Sequence, residues 1–96
     1  MSSAEYARRL RSLVDRWYAE TMRVLTGDDV VLLVMVYSVR AAALGVVAAA
    51  ERKDQPDIYI KWYSICIAAL KTRDLISADA LTDALVALLE RSKRTA

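Results

Sequence analysis

The sequence predicts an all-α protein, a compact four-helix bundle with a very apolar central second helix. Only two glycines and one proline interrupt its 96 residues. The stretches between them are rich in Ala, Leu, Arg and Glu, which are strong helix formers. Apolar residues also recur at three- and four-residue steps, the spacing of one helix face. The length suits one domain with one modest core, so we expect a single helical domain over residues 1–96.

Helix 1 is predicted to run from about Ser3 to Leu25. Ser2 and Glu5 have the spacing of a capping box, in which two side chains satisfy free backbone groups at a helix start. The segment 26–29 then supplies a glycine that can end the helix and two aspartates that can cap the next one. The apolar face follows helical spacing and consists of Tyr6, Leu10, Leu13, Val14, Trp17, Met22 and Leu25.

Helices 2 and 3 are predicted over residues 29–53 and 56–72. Helix 2 ends in Glu51-Arg52-Lys53, whose two cations suit the negative end of the helix dipole. Helix 3 follows Asp54, a candidate cap, and has Pro56 in its first turn, where proline is tolerated. Its β-branched stretch from Ile58 to Ile67 is also compatible with a strand. We favour a helix because strict alternation fails and one helical stripe contains Ile58, Trp62, Ile65 and Ala69.

Helix 4 is predicted over residues 77–93, and Ser77 opens it. Its charges counteract the helix dipole at both ends, with Asp79 and Asp83 near the start and Arg91, Lys93 and Arg94 near the end. The apolar face consists of Leu81, Ala84, Leu85, Leu88 and Leu89. The short connections imply that neighbouring helices pack roughly antiparallel.

The stretch Val30–Ala50 is unusually apolar, since Ser38 and Arg40 are its only strongly polar residues. Burial in the centre of the bundle is one explanation. Three short helices rarely cover a fourth completely, so we also predict an open side that forms a protein interface: Leu33, Tyr37, Arg40, Leu44 and Val47. A second set has the small-residue spacing that lets a neighbouring backbone approach closely: Ala41, Gly45 and Ala49.

A membrane-spanning helix is an alternative interpretation of Val30–Ala50, because about twenty apolar residues can cross a bilayer. Arg40 argues against it, since a charge at the bilayer centre costs about 2.5 to 3.5 kcal/mol. The next apolar run, Ile58–Leu70, is too short to span and contains Lys61. A pilin-like hairpin of these two runs remains the membrane alternative.

The sequence lacks the usual components of an active site. It has no histidine, no glycine-rich phosphate loop and no pair of cysteines. Acidic pairs such as Asp28 with Asp29 and Asp79 with Asp83 lie at predicted helix starts, where capping explains them. We therefore predict no enzymatic activity, no cofactor, no metal site and no small-molecule substrate.

The single cysteine, Cys66, lies in an apolar run and is predicted to pack as a small hydrophobic residue. We identify no signal peptide in the charged and amphipathic segment 1–17. These features predict a cytoplasmic protein, or one held within a virion or filament assembly.

Five arginines give helix 1 a local basic surface, although the whole chain has a formal charge of only +2. Three of them are spaced seven residues apart, so they share one side of the helix. Asp15 and Glu20 interrupt this surface, and a solvated amphipathic face is the favoured interpretation. Contact with nucleic-acid phosphates is the alternative, and its candidate residues are Arg8, Arg9, Arg11, Arg16 and Arg23.

Trp17 and Trp62 fall on the apolar stripes of helices 1 and 3, so we interpret both as core fillers or interface anchors.

The layout of a short basic helical bundle resembles the small helical subunits of CRISPR effector complexes and the helical coat proteins of filamentous archaeal viruses. The residues themselves predict a structural or interaction protein that self-associates or acts as a helical subunit of a larger assembly. The resemblances imply an alternative, a subunit that binds nucleic-acid backbone in a nucleoprotein complex.

Overall fold

The computed structural model describes residues 3–25, 30–52, 56–71 and 78–94. These residues form four α-helices and no strand, which confirms the predicted all-α fold. The helices are α1 (Ser3–Val24), α2 (Val30–Glu51), α3 (Asp57–Lys71) and α4 (Asp79–Arg94). Each begins and ends within two residues of its predicted position. The strand considered for residues 58–67 is therefore excluded.

The first turns of α3 and α4 are closed by backbone hydrogen bonds. The Pro56 carbonyl accepts hydrogen bonds from the amides of Tyr59 and Ile60, each at 3.0 Å. The Ala78 carbonyl accepts one from the Thr82 amide at 2.9 Å. Several predicted cap and turn residues lie outside the described residues: Ser2, Gly27, Asp28, Asp29, Asp54 and Ser77.

Helix α2 is the centre of the bundle, because it packs against each of the other three helices. Helix α4 also packs against α1. Much of the apolar character of α2 is therefore explained by burial, and its buried residues are Leu32, Val36, Val39, Ala42, Ala43, Val46, Val47 and Ala49. The neighbouring helices complete the core with residues that include Leu10, Val14, Trp17, Tyr63, Ile67, Leu70, Leu81 and Leu85.

The side chain of Tyr59 on α3 packs directly against the α2 backbone at Gly45. A β-carbon at this position would lie 2.8 Å from Cε1 and 2.9 Å from Cγ of Tyr59, closer than packed atoms allow. Only glycine leaves room for the tyrosine ring against the α2 backbone. Of the other two residues predicted to accept a close neighbour, Ala49 is fully buried and Ala41 is half-buried.

A partly buried hydrogen bond connects α3 to α4. The Thr82 hydroxyl donates its proton to the Ala78 carbonyl at 2.8 Å. The Tyr63 hydroxyl lies 2.8 Å from the same Thr82 oxygen. Because the single Thr82 proton is already used, Tyr63 donates and Thr82 accepts. The fully buried Tyr63 thus has a partner for its polar atom, as buried hydroxyl groups require.

Candidate protein-interaction surface

Three large apolar side chains of α3 point into solvent on one face of the helix. Ile58, Trp62 and Ile65 are 73%, 41% and 63% exposed. Their spacing of four and three residues places them in one line, and we call this line the α3 stripe. The interpretation of Trp62 as a core filler is therefore wrong, whereas Trp17 does lie in the core.

A second exposed apolar group lies on the N-terminal half of α2. Its four residues are each more than half exposed: Val30, Val31, Val34 and Tyr37. We call them the α2 patch. Exposed residues of α2 are therefore concentrated near its start, whereas the residues of its C-terminal half up to Ala50 are buried or half-buried. Core packing thus explains the apolar residues on the buried face of α2 along its whole length, but it does not explain the α2 patch.

The predicted interface on α2 agrees only partly with the observed burial. Tyr37 is exposed, and Leu33 and Leu44 are half-buried. Val47 is fully buried, so its assignment to an open side is corrected. The reason is geometric, because residues seven apart drift by about 20° per step on a straight helix. Two such steps turn Val47 away from Leu33 and into the core.

Arg40 lies against α1 and is not on an open side of α2. Its Nη2 atom is 3.7 Å from Oδ1 of Asp15, and its guanidinium carbon is 5.2 Å from the centre of the Tyr18 ring. The charge therefore has an acidic partner and an aromatic partner on the neighbouring helix. These contacts are at the surface, where each is worth about 1 kcal/mol or less.

The arginines of α1 have different surroundings. Arg8, Arg9, Arg16 and Arg23 are exposed. Arg11 forms a salt bridge with Glu51 at the end of α2. Four of the five candidate phosphate-binding residues thus lie on exposed parts of α1, and the fifth has a carboxylate partner.

A shallow groove lies between α1 and the start of α4. Leu13, Trp17 and Glu20 line one side of it, and Ala78 and Leu81 line the other. Its volume of about 200 Å³ is below the range of typical ligand pockets, roughly 300 to 1,000 Å³. Across the described ranges, no three His, Cys, Asp or Glu residues lie together in a way that could hold a metal ion.

Within the described part of the chain, α2 alone is long and apolar enough to cross a membrane. Its most apolar 18 residues have a mean hydropathy of 2.3. In the bundle, 39% of that window is already buried by the rest of the chain. A core helix passes the same test of length and composition, so α2 gives only weak evidence for membrane insertion.

The surroundings of the buried Tyr63 and the half-buried Cys66 shift the pKa values of both side chains. Burial raises the pKa of the Tyr63 hydroxyl to about 12, with the Thr82 hydrogen bond opposing the shift and Asp79 adding to it. Burial also raises the pKa of the Cys66 thiol, and a hydrogen bond with Trp62 partly opposes this. A thiol with a raised pKa is a poor nucleophile, which agrees with a packing role for Cys66.

Comparison of the chain with known protein families, with characterised proteins and with solved structures found no match.

Proposed function

We propose that this is a non-enzymatic interaction protein that functions by burying the α3 stripe against another protein chain. It acts either as a self-associating unit or as a small helical subunit of a larger assembly. The observation that supports the proposal is the exposure of Ile58, Trp62 and Ile65 in one line. Contiguous apolar side chains on a soluble surface mark contact sites more often than isolated ones do.

The chemistry of the stripe suits a protein partner. A fully buried apolar side chain contributes about 1.5 to 3 kcal/mol relative to an exposed one, so the partly exposed stripe offers on the order of 3 kcal/mol in total. Tryptophan is enriched among the residues that dominate binding energy. Trp62 has an isoleucine on each side, an arrangement that can exclude water around a central anchor.

The decisive experiment compares two glutamate substitutions on α3. Ile58→Glu removes an apolar side chain from the stripe, and because it adds an acidic group in the first turn it should not weaken the helix. Ser64→Glu is the matched control, since Ser64 is exposed on another side of the same helix. Both variants should have the far-UV circular dichroism spectrum of the unaltered chain. Their free energies of unfolding should lie within about 1 kcal/mol of its value.

The measured property is assembly in the native host. Each tagged chain would be co-purified, and its partner proteins and its mass by light scattering would be quantified. We expect Ile58→Glu to lose its associated chains at least tenfold relative to Ser64→Glu. The proposal would be overturned if the unaltered chain is monomeric and the Ile58→Glu and Ser64→Glu variants co-purify with the same proteins.

We propose contact with nucleic-acid backbone as a second candidate, supported by the exposure of Arg8, Arg9, Arg16 and Arg23 on α1. Binding to single-stranded RNA and double-stranded DNA would be measured across a salt series. Genuine phosphate contacts weaken steeply with salt, and each lost contact reduces the logarithmic slope by about one. The variant Arg16→Gln with Arg23→Gln should therefore reduce the slope by about two. Absence of binding at low salt rejects this candidate.

A further inference from the structure

We infer that the basic surface of α1 extends onto the ends of α2 and α4, where Arg52 and Arg91 add two contacts to nucleic-acid phosphates. The inference rests on the second candidate function, and it names binding residues that lie outside α1. Its basis is the arrangement of three helix ends together with the charges that they carry.

Helix α4 brings Arg91 to the first half of α1. The guanidinium carbon of Arg91 lies 5.0 Å from the centre of the Tyr6 ring. Tyr6 precedes the exposed Arg8 and Arg9 by less than one helical turn. The last turn of α4 therefore lies beside the part of α1 that carries these two arginines.

Helix α2 brings Arg52 to the same half of α1. Glu51 ends α2 and forms a salt bridge with Arg11. Arg52 follows Glu51 directly and is exposed, and its amide donates a hydrogen bond to the Ala48 carbonyl at 3.2 Å. Arg52 is therefore held at the last turn of α2, next to the salt bridge with α1.

Positive charge is concentrated where these three helix ends meet. We call this region, residues 3–13, 48–52 and 88–91, the basic end. It contains five arginines and three glutamates. The opposite ends of the same helices, residues 14–24, 30–34 and 79–83, contain two arginines and four carboxylates. A polyanion is therefore attracted to the basic end and repelled from the other.

Nucleic acid fits the basic end better than a membrane surface does. All five of its cations are arginines, whose planar guanidinium groups can donate two parallel hydrogen bonds to a phosphate. Surfaces that bind membranes combine cations with apolar side chains that enter the lipid. None of the large exposed apolar side chains of the described residues lies in the basic end. The α3 stripe is also remote from it, because the described part of α3 packs against neither α1 nor α4.

The test compares two double variants that remove the same charge. Arg52→Gln with Arg91→Gln removes two cations from the basic end, and Lys61→Gln with Lys71→Gln removes two exposed cations from α3. Binding to a DNA duplex of about 20 base pairs would be measured by fluorescence anisotropy across a salt series. We expect the slope of log affinity against log salt to fall by about two in the first variant and by less than about 0.5 in the second.

Arg91→Lys separates a phosphate contact from a purely structural role of Arg91. Arg91→Gln alone should lower the slope by about one, whereas Arg91→Lys keeps the charge and should retain the slope of the unaltered chain. Circular dichroism would check that each variant remains helical. An equal fall in slope with lysine and with glutamine would overturn the assignment of Arg91.

Other outcomes overturn the inference as a whole. Equal slopes in the two double variants would show that only the net charge matters. An unchanged slope without Arg52 and Arg91, combined with a reduced slope in Arg16→Gln with Arg23→Gln, would reject the inference and leave the second candidate function standing. Absence of binding to DNA and RNA at low salt would reject both. Binding to phosphatidylserine vesicles but not to DNA would assign the basic end to a membrane surface instead.

Discussion

At the scale of single residues, Tyr63 shows how a polar group is accommodated in this core. It is fully buried, and its hydroxyl donates to Thr82 on another helix. Burial disfavours the charged phenolate, which is the main reason that its pKa is raised to about 12. The neutral hydroxyl is therefore the form that stabilises the folded chain.

This predicts a specific loss of stability at high pH. An unfolded tyrosine has a pKa of about 10, so the stabilisation is complete below pH 10 and is lost as the pH rises toward 12. The loss should reach about 2 kcal/mol by pH 12. Urea unfolding at pH 8 and pH 11.5 would measure it in the unaltered chain and in Tyr63→Phe. The phenylalanine variant should lack this part of the pH dependence, and an identical loss in both chains would contradict the prediction.

At the scale of helices, the close contact between α2 and α3 depends on the absence of a side chain at Gly45. The ring of Tyr59 occupies the space that a β-carbon would fill. Glycine costs about 1 kcal/mol relative to alanine within a helix, and the ring contact offsets that cost here. The packing of α3 on the central helix is therefore sensitive to the size of one residue.

Gly45→Leu is expected to reduce the free energy of unfolding by about 1 to 3 kcal/mol, because the larger side chain must displace the Tyr59 ring. In a Tyr59→Ala background the same substitution should cost at least about 1 kcal/mol less. Urea midpoints of the four chains in this double-mutant cycle provide the measurement. Additive effects would show that Gly45 and Tyr59 are not coupled.

Helix α3 also shows where prediction from the sequence reached its limit. The helix itself was predictable, because the spacing of Ile58, Trp62 and Ile65 is helical. The buried face was not, because Tyr59, Tyr63 and Ile67 form a second apolar set at similar spacing. Contacts with the other helices determine which of the two faces of α3 is buried. Gly45 of α2 has room for one tyrosine ring, and Thr82 of α4 accepts a hydrogen bond from the other.

For helix α2, too, only part of the structure could be predicted from the sequence. The apolar run Val30–Ala50 predicted its central position, whereas the identity of its exposed residues depends on where the other helices end. The seven-residue spacing from Leu33 to Val47 drifts around the helix and ends in the core. The contacts of Arg40 could not be predicted from the sequence, because its partners Asp15 and Tyr18 are far from it along the chain.

At the scale of the whole molecule, a dimer formed by folded chains should couple stability to concentration. Association that involves only the native state stabilises it by mass action. If the folded chain is the self-associating unit, its melting temperature should be higher at about 1 mM than at about 10 μM protein. Differential scanning calorimetry would measure this rise, and Ile58→Glu should abolish it. An equal rise in both chains would locate the association elsewhere.

The central position of α2 also has a consequence for folding. Its contacts with α1 and α3 join helices that are neighbours in the chain, so they close short loops at low entropic cost. Helix α4 packs against α1 and α2, which are more distant in sequence. Folding should therefore begin with α1, α2 and α3, and α4 should dock last. The hydrogen bond from Tyr63 to Thr82 should then form in the final step of folding, and it should break first when the bundle opens.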